Sequence, residues 1–285
     1  MTTPVEHLRE LLERPGILTM PGCHDAMSAS LIEAAGFEIG FMSGFATSGA
    51  RLGLPDTGLI SYGEMVEQGR NICQRVKIPM IGDGDTGFGN ALNVKRTVEG
   101  YARAGFACIM VEDQVMPKRC GHTRGKDIVS RDEAFSRVQA AVDARNEGSD
   151  ILIMARTDSR AIAGLGEAIE RARTFREIGA DITFVEAPES VEEMREYCSE
   201  VSGPKMANMI EFGKTPVLPT AELEAIGYKI AVFPLTLLNA SIKAMQESLS
   251  QLKAGYEPDN VLDFEALKDA VGFNQYYDEF DRYNG

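Results

Sequence analysis

The chain has 285 residues, of which 43 are acidic and 29 basic, giving a formal charge of −14 at pH 7. That balance argues against sequence-independent attraction to nucleic-acid phosphates or anionic membranes, but it leaves small anionic substrates open, because a site's local field can oppose the global one. With 44% hydrophobic and 25% charged residues, the chain suits one sizeable folded core rather than disorder.

Residues 1–16 set Leu8, Leu11 and Leu12 among Glu6, Arg9, Glu10, Glu13 and Arg14. This is the pattern of an amphipathic helix, without the uninterrupted apolar region of a signal peptide, and no later run has the length of a membrane span. The five Cys, at positions 23, 73, 108, 120 and 198, are odd in number and irregular in spacing. They suggest neither a disulfide framework nor a zinc site, and a reducing, cytoplasmic setting is expected.

Eight short apolar runs then follow one another, at residues 17–21, 39–43, 79–82, 107–111, 151–155, 182–185, 204–207 and 229–233. Between them lie segments whose apolar residues return every three or four positions, as in helices. Strand then helix, repeated eight times, predicts an α/β fold, a closed (β/α)8 TIM-type barrel rather than an open doubly wound sheet. In such a barrel the polar residues that follow each strand converge on one face. Here these are Asp25, Ser43-Gly44, Asp83-Gly84-Asp85, Glu112-Asp113, Arg156-Thr157-Asp158, Glu186, Asn208 and Thr236.

Two connections, residues 45–61 and 114–130, exceed the usual length and are read as binding loops or lids, with Gly121 and Gly125 as hinge points in the second. Residues 1–255 are assigned to the barrel and 256–285 to a helical extension. The extension carries eight acidic residues against Lys268 and Arg282, and Phe264, Leu267, Val271, Phe273, Tyr276, Tyr277 and Phe280 recur at helical spacing around Gly272.

Asp56, Asp83, Asp85, Glu112 and Glu186 are too many carboxylates for one barrel mouth without a cation among them. A hard divalent ion is the economical answer, since Mg²⁺ prefers oxygen, takes one or two carboxylates directly and leaves others to hold its waters. Positive charge comes from Lys118, Arg119, Arg124, Lys126 and Arg156, which could clamp a carboxylate or phosphonate. Cys120, flanked by Arg119, Gly121 and His122, sits where neighbouring cations favour thiolate, so it could serve as an acid, a base or a nucleophile. No GxSxG elbow or phosphate-cradling loop occurs, and the two Asp of Gly82-Asp83-Gly84-Asp85-Thr86-Gly87 would repel a pyrophosphate.

Taken together, Gly53-Leu54-Pro55-Asp56, Gly82-Asp83-Gly84-Asp85-Thr86-Gly87-Phe88-Gly89-Asn90, Val111-Glu112-Asp113-Gln114, Pro117-Lys118-Arg119-Cys120-Gly121-His122, Ala155-Arg156-Thr157-Asp158 and Asn208-Met209-Ile210-Glu211 resemble the isocitrate lyase and phosphoenolpyruvate mutase superfamily, up to about residue 253. The resemblance implies a (β/α)8 barrel that uses Mg²⁺ or Mn²⁺ on 2-oxo or 2-hydroxy carboxylates, with reactions passing through an enolate or related oxyanion. It implies Asp83 at the metal with Asp56, Asp85 and Glu112 holding its waters, and Lys118, Cys120, His122, Arg156 and Glu186 as the catalytic set. Ser43, Gly44, Phe45, Gly121, Arg156, Asn208, Phe212 and Pro234 would bind substrate.

In lyase members the Cys matching Cys120 is the acid–base residue, and Pro234 resembles the lyase pattern rather than the Ser of oxaloacetate hydrolases. Phe212 stands where Gly is usual and is expected to add bulk near the pocket. The resemblance therefore points to a Mg²⁺-dependent carbon–carbon lyase acting on a substituted malate or 2-methylisocitrate-like acid through an enolate of a 2-oxo acid. Carboxyphosphonoenolpyruvate mutase, oxaloacetate hydrolase and a non-catalytic metal-dependent binding protein are the alternatives. A homo-oligomer is expected, a tetramer with the eighth helix exchanged between subunits, acting on a small di- or tricarboxylate or 2-oxo acid.

Overall fold

The computed structural model describes residues 2–119, 125 and 127–284. The chain divides into two compact units, Met1–Leu237 and Leu238–Gly285. In the first unit, eight strands are short and buried along their length, as a parallel sheet covered on both faces requires. They are β1 (Leu18–Cys23), β2 (Gly40–Met42), β3 (Met80–Asp83), β4 (Cys108–Glu112), β5 (Leu152–Thr157), β6 (Ile182–Val185), β7 (Met206–Asn208) and β8 (Ile230–Phe233). All pair in parallel in the order β6-β5-β4-β3-β2-β1-β8-β7. The remaining gap is bridged where Thr183 pairs with Lys205 and the Thr183 N–H donates to the Pro204 carbonyl at 3.1 Å. The result is the expected barrel.

Side chains alternate along each strand, and the two sets enter different cores. One set, including Met20, Phe41, Ile81, Met110, Leu152, Met154, Ile182, Phe184, Met206, Ile230 and Val232, forms a single buried cluster with Val5, Leu8 and Leu11 of the N-terminal helix Pro4–Glu13. The predicted amphipathic helix thus lays its apolar face on the barrel interior. The other set, such as Ile109, Val111, Ile153 and Ala155, packs against helices that include Tyr62–Arg75, Ala91–Ala104 and Arg131–Asn146. At about 1.5–3 kcal/mol for each large apolar side chain buried, these two layers are the main source of the fold's stability.

Continuing the inward set by two residues along each strand gives Asp83, Glu112, Arg156, Glu186 and Asn208. Several of these were expected just past the strand ends. Instead Asp83, Glu112 and Asn208 are the last residues of β3, β4 and β7, and Arg156 lies inside β5. Ladder pairing extends further than the apolar runs suggested, for example Glu112 with Arg156 and Asn208 with Val232.

The second unit is helical, with the helix Thr236–Lys253 running into it, followed by Phe264–Ala270 and Phe273–Asn284. Within it Gln251 clasps Asp259, donating to its carboxylate at 2.7 Å and accepting its backbone N–H at 2.9 Å. Gly272 separates the last two helices, as anticipated. Among the described residues, no helix is long and apolar enough to cross a membrane.

Candidate active site

A cavity enclosing about 500 Å³ of atom-free space, part of it open to solvent, lies among these strand ends. Its apolar lining includes Phe41, Met110, Phe184, Met206 and Val232, one step down the same inward rows. Its polar lining is Ser43, Asp56, Asp83, Glu112, Lys118, Arg119, Arg156, Glu186 and Asn208, with Phe45, Ile210, Pro234 and Leu235 completing it.

Asp83 is held rigidly by backbone donors. Its Oδ1 accepts the Asp85 N–H at 3.0 Å and its Oδ2 accepts the Gly44 N–H at 3.1 Å. The 45–61 connection is not all loop, because residues Gly44–Leu52 form a helix whose N-cap, Ser43, accepts the Ala46 N–H at 3.3 Å. Gly44 was expected to bind substrate through its N–H, yet that N–H serves Asp83, and Gly44 lies behind the lining. Ser43 and Phe45 do line the cavity.

Lys118 is buried, with Nζ 2.6 Å from Asp56 Oδ1 and 2.8 Å from Asp85 Oδ1. Burial alone would lower its pKa, but Asp85, Asp83, Asp56 and Glu112 more than offset this and hold it well above the ordinary lysine value. Burial pushes Asp85 up to about 7, with Lys118 opposing and Asp83 and Asp56 adding to the rise. Glu112 is likewise raised by burial, against the pull of Arg156.

Arg156 is a second buried cation in the cavity lining. Asp158 takes it in a two-point grip, at 2.8 Å from Nε and 3.2 Å from Nη2. Glu112 and Glu186 each approach it to 3.2 Å. Among the described residues, Nη1 enters none of these contacts. Asn208 Nδ2 donates to both oxygens of Glu186 at 3.3 Å, and among the described residues the buried Asn208 Oδ1 has no hydrogen bond. Asp158 had no role assigned from sequence. Its two-residue spacing from Arg156 was the available signal, since that spacing returns a side chain to the same face.

Whether the acids fit a metal ion can be judged from their unsatisfied atoms. Among the described residues, Asp85 Oδ2 and Glu112 Oε1 are buried and accept no hydrogen bond. Such atoms are costly unless a cation or bound water meets them. All the donors are oxygens, which suits a hard dication. Among the described residues, no three His, Cys, Asp or Glu side chains converge tightly enough to ligate one ion directly. The arrangement therefore fits an ion taken by one or two carboxylates, with water completing its shell.

Phe212 corrects an expectation. Its side chain is wholly exposed and does not line the cavity. Its backbone has φ +62°, a left-handed conformation that glycine adopts without penalty, which fits the Gly that the family resemblance leads one to expect here. Asp85 (φ +48°) and Ala187 (φ +55°) share that conformation. Backbone strain is thus stored around the mouth, as is common at functional sites. Cys120, Gly121, His122, Arg124 and Lys126 lie outside the described residues.

Residues 8–253 match the phosphoenolpyruvate phosphomutase family. The chain belongs to that family. Within the wider isocitrate lyase and phosphoenolpyruvate mutase superfamily, it is 44% identical to 2,3-dimethylmalate lyase of Eubacterium barkeri over 272 residues, 94% of each chain. It is 43% identical to 2-methylisocitrate lyase of Aeropyrum pernix over 273 residues, covering 94% of this chain and 87% of that one. Among solved structures, oxaloacetate acetylhydrolase in complex with 3,3-difluorooxalacetate superposes with a TM-score of 0.94 at 34% identity, covering 100% and 98%. Phosphonopyruvate hydrolase, solved with oxalate and Mg²⁺, superposes at 0.87 with 26% identity, covering 99% and 100%. This member of the phosphoenolpyruvate phosphomutase family is accordingly an enzyme of the lyase and mutase superfamily, whose relatives act on small organic acids.

Proposed function

We propose that the enzyme cleaves the C2–C3 bond of a substituted malate or 2-methylisocitrate-like acid, giving a 2-oxo acid and a second carboxylic acid. The observation that carries this reading is Pro234 in the cavity lining, the residue that the family resemblance links to lyases rather than to oxaloacetate hydrolases, together with Lys118 at the head of the segment that continues into Cys120. Arg156 and Ser43 both line the cavity and are the groups proposed to take one substrate carboxylate. The unpartnered Asn208 Oδ1 is available to a substrate hydroxyl.

Electron balance refines the intermediate expected from sequence. The 2-hydroxyl loses its proton and becomes the new carbonyl, so the pair from the broken C2–C3 bond remains on C3 of the departing acid. The enolate is therefore that of the second acid rather than of the 2-oxo product. The hydroxyl proton passes to the carboxylate cluster at the mouth. The Cys120 thiol returns a proton to C3. Mg²⁺ or Mn²⁺, held by Asp83 with Asp56, Asp85 and Glu112 on its waters, would supply Lewis-acid stabilisation of developing oxyanion charge.

The expected assembly is a homo-oligomer, a tetramer, in the cytoplasm. Ile242, Met245, Leu249 and Leu252 are exposed on the helix Thr236–Lys253, a stripe that a subunit contact would cover. The deciding experiment is a screen of malate, alkylmalates, isocitrates and oxaloacetate with pyruvate, glyoxylate and oxalate monitored. Pyruvate or another 2-oxo acid released from a branched malate supports the lyase, whereas oxalate and acetate from oxaloacetate would replace it with a hydrolase.

A further inference from the structure

Gln114 follows β4 by two residues, is fully buried, and has no part in the chemistry above. Its side-chain amide closes a reciprocal pair with the backbone of a residue five positions further along. Nε2 donates to the Arg119 carbonyl at 2.8 Å, and Oε1 accepts the Arg119 N–H at 2.9 Å. Both capacities of a buried primary amide are thus directed at the residue immediately after Lys118. The other end of the clasp is fixed as well. Arg137 Nη1 donates to the Gln114 carbonyl at 2.8 Å, and Gln114 bridges Ile128 in antiparallel fashion, with the Val115 N–H on the Asp127 carbonyl and the Val129 N–H on that of Asp113, both at 2.9 Å.

The geometry points to Gln114 as a positioning residue that acts through Lys118: its clasp on Arg119 holds the Lys118 ammonium between Asp56 and Asp85, and so sets the charge that the carboxylate cluster offers to a divalent cation. Lys118 has a long, flexible stem and sits on a connection rather than a strand. Ordering it in a buried position costs side-chain and backbone entropy. The two amide hydrogen bonds remove much of that freedom beforehand by fixing the peptide on its C-terminal side. Once placed, Lys118 Nζ faces Asp56 and Asp85, two of the carboxylates proposed to hold the metal's waters. A second cation there opposes ion binding, and the opposition lasts only while the clasp keeps the ammonium in place. The link to the ion rests on the metal reading above; the clasp itself does not.

Two measurements separate these. In the first, the native protein is acetylated with a hydroxysuccinimide ester and each lysine's rate is read by peptide mass mapping. Lys118 in the wild type should react far more slowly than Lys243, whose side chain is 77% exposed. Gln114→Leu should speed Lys118 by about tenfold or more, the scale set by losing two partly buried hydrogen bonds, and leave the buried Lys205 unchanged as a control for the fold. Gln114→Glu, which keeps the acceptor for the Arg119 N–H but loses the donor, should fall between them and covers the case in which the leucine variant does not fold. Continued protection of Lys118 in a folded Gln114 variant overturns the proposal.

In the second measurement, Mn²⁺ affinity is titrated in the wild type, Gln114→Leu, Lys118→Met and the double variant. Lys118→Met should bind Mn²⁺ more tightly, Gln114→Leu should share part of that gain, and Gln114→Leu should add nothing in the Lys118→Met background. Equal effects of Gln114→Leu in both backgrounds would show that it does not act through Lys118 and would overturn the proposal. Absence of Mn²⁺ binding in every variant would remove the metal reading and with it the link to ion affinity, and the acetylation rates would then decide the clasp alone.

Discussion

The backbone N–H of Gly44 donates to Asp83 Oδ2 at 3.1 Å, and a β-carbon at position 44 would lie only 2.7 Å from that same oxygen. The donor that orients the carboxylate and the space that admits it therefore come from one residue. Gly44→Ala should displace Asp83 and weaken divalent-ion affinity and turnover by about ten- to a hundredfold, the range expected when a reacting group is shifted by a fraction of an ångström to an ångström. A Mn²⁺ titration of the folded variant checks this, and wild-type affinity would contradict it.

Removal of the ion should abolish activity. Dialysis against EDTA is expected to give inactive protein that Mg²⁺ restores, and Asp83→Ala should stay inactive at any Mg²⁺ concentration. Its fold should persist, because the Tyr101 hydroxyl bonds the Asp83 backbone carbonyl at 2.6 Å rather than the side chain. Full turnover in excess chelator after dialysis would defeat the metal assignment.

Cys120→Ala should lower turnover by about two to four orders of magnitude, the usual contribution of a positioned acid, while substrate affinity changes little. Cys120→Ser should not recover the loss, because a hydroxyl is a far weaker acid than a thiol. Binding measured separately from turnover is the test, on whichever substrate the screen yields. Near-normal turnover by the Ala variant would remove the main reason to prefer a lyase.

Outside the cavity lining, Glu167 gives a pH prediction. Hydrogen bonds from Arg131, helped by Arg171 and opposed by partial burial, lower its pKa to about 2. An unfolded glutamate titrates near 4.3, so the folded form is favoured by the ionised carboxylate. The stabilisation is complete above that unfolded value and disappears as the pH falls through about 2. Glu167→Gln should therefore lower the urea midpoint at pH 7, with the difference from wild type shrinking below about pH 4. A difference that stays constant down to pH 3 would assign the loss to packing.

The barrel was legible because its strands are apolar on both faces and its helices are not, so periodicity changes eight times along the chain. The inward row of site residues was legible too, since Asp83, Glu112, Arg156, Glu186 and Asn208 each continue an apolar residue two positions earlier. Other features were not. Asp158 reads as one more polar residue after a strand until Arg156 is seen in its grip. The Gly44–Leu52 helix does not stand out in the sequence, because it is only nine residues long and holds two Gly. Phe212 points away from the cavity because its backbone conformation directs it, and sequence gives the bulk of a side chain but not that conformation.

The chain's similarity to 2,3-dimethylmalate and 2-methylisocitrate lyases would be extended by a measured assembly. Static light scattering at micromolar concentration should return a mass above that of one chain. Replacing Met245 and Leu249, both exposed, with Glu should shift it toward the monomer. A wild-type mass equal to one chain would exclude the assembly at that concentration.

A β-carbon at Gly22 would fall 2.3 Å from the carbonyl oxygen of Pro234, so the cavity wall at position 234 is seated with its backbone directly on the first strand. Drift at position 22 is closed to any larger residue unless that backbone moves. The side chain at 234 is free of this constraint and borders the cavity. Evolution could therefore change the chemistry of this wall through one exchange at position 234 while its scaffold stays pinned, and the path between neighbouring reactions on this barrel is short at that point.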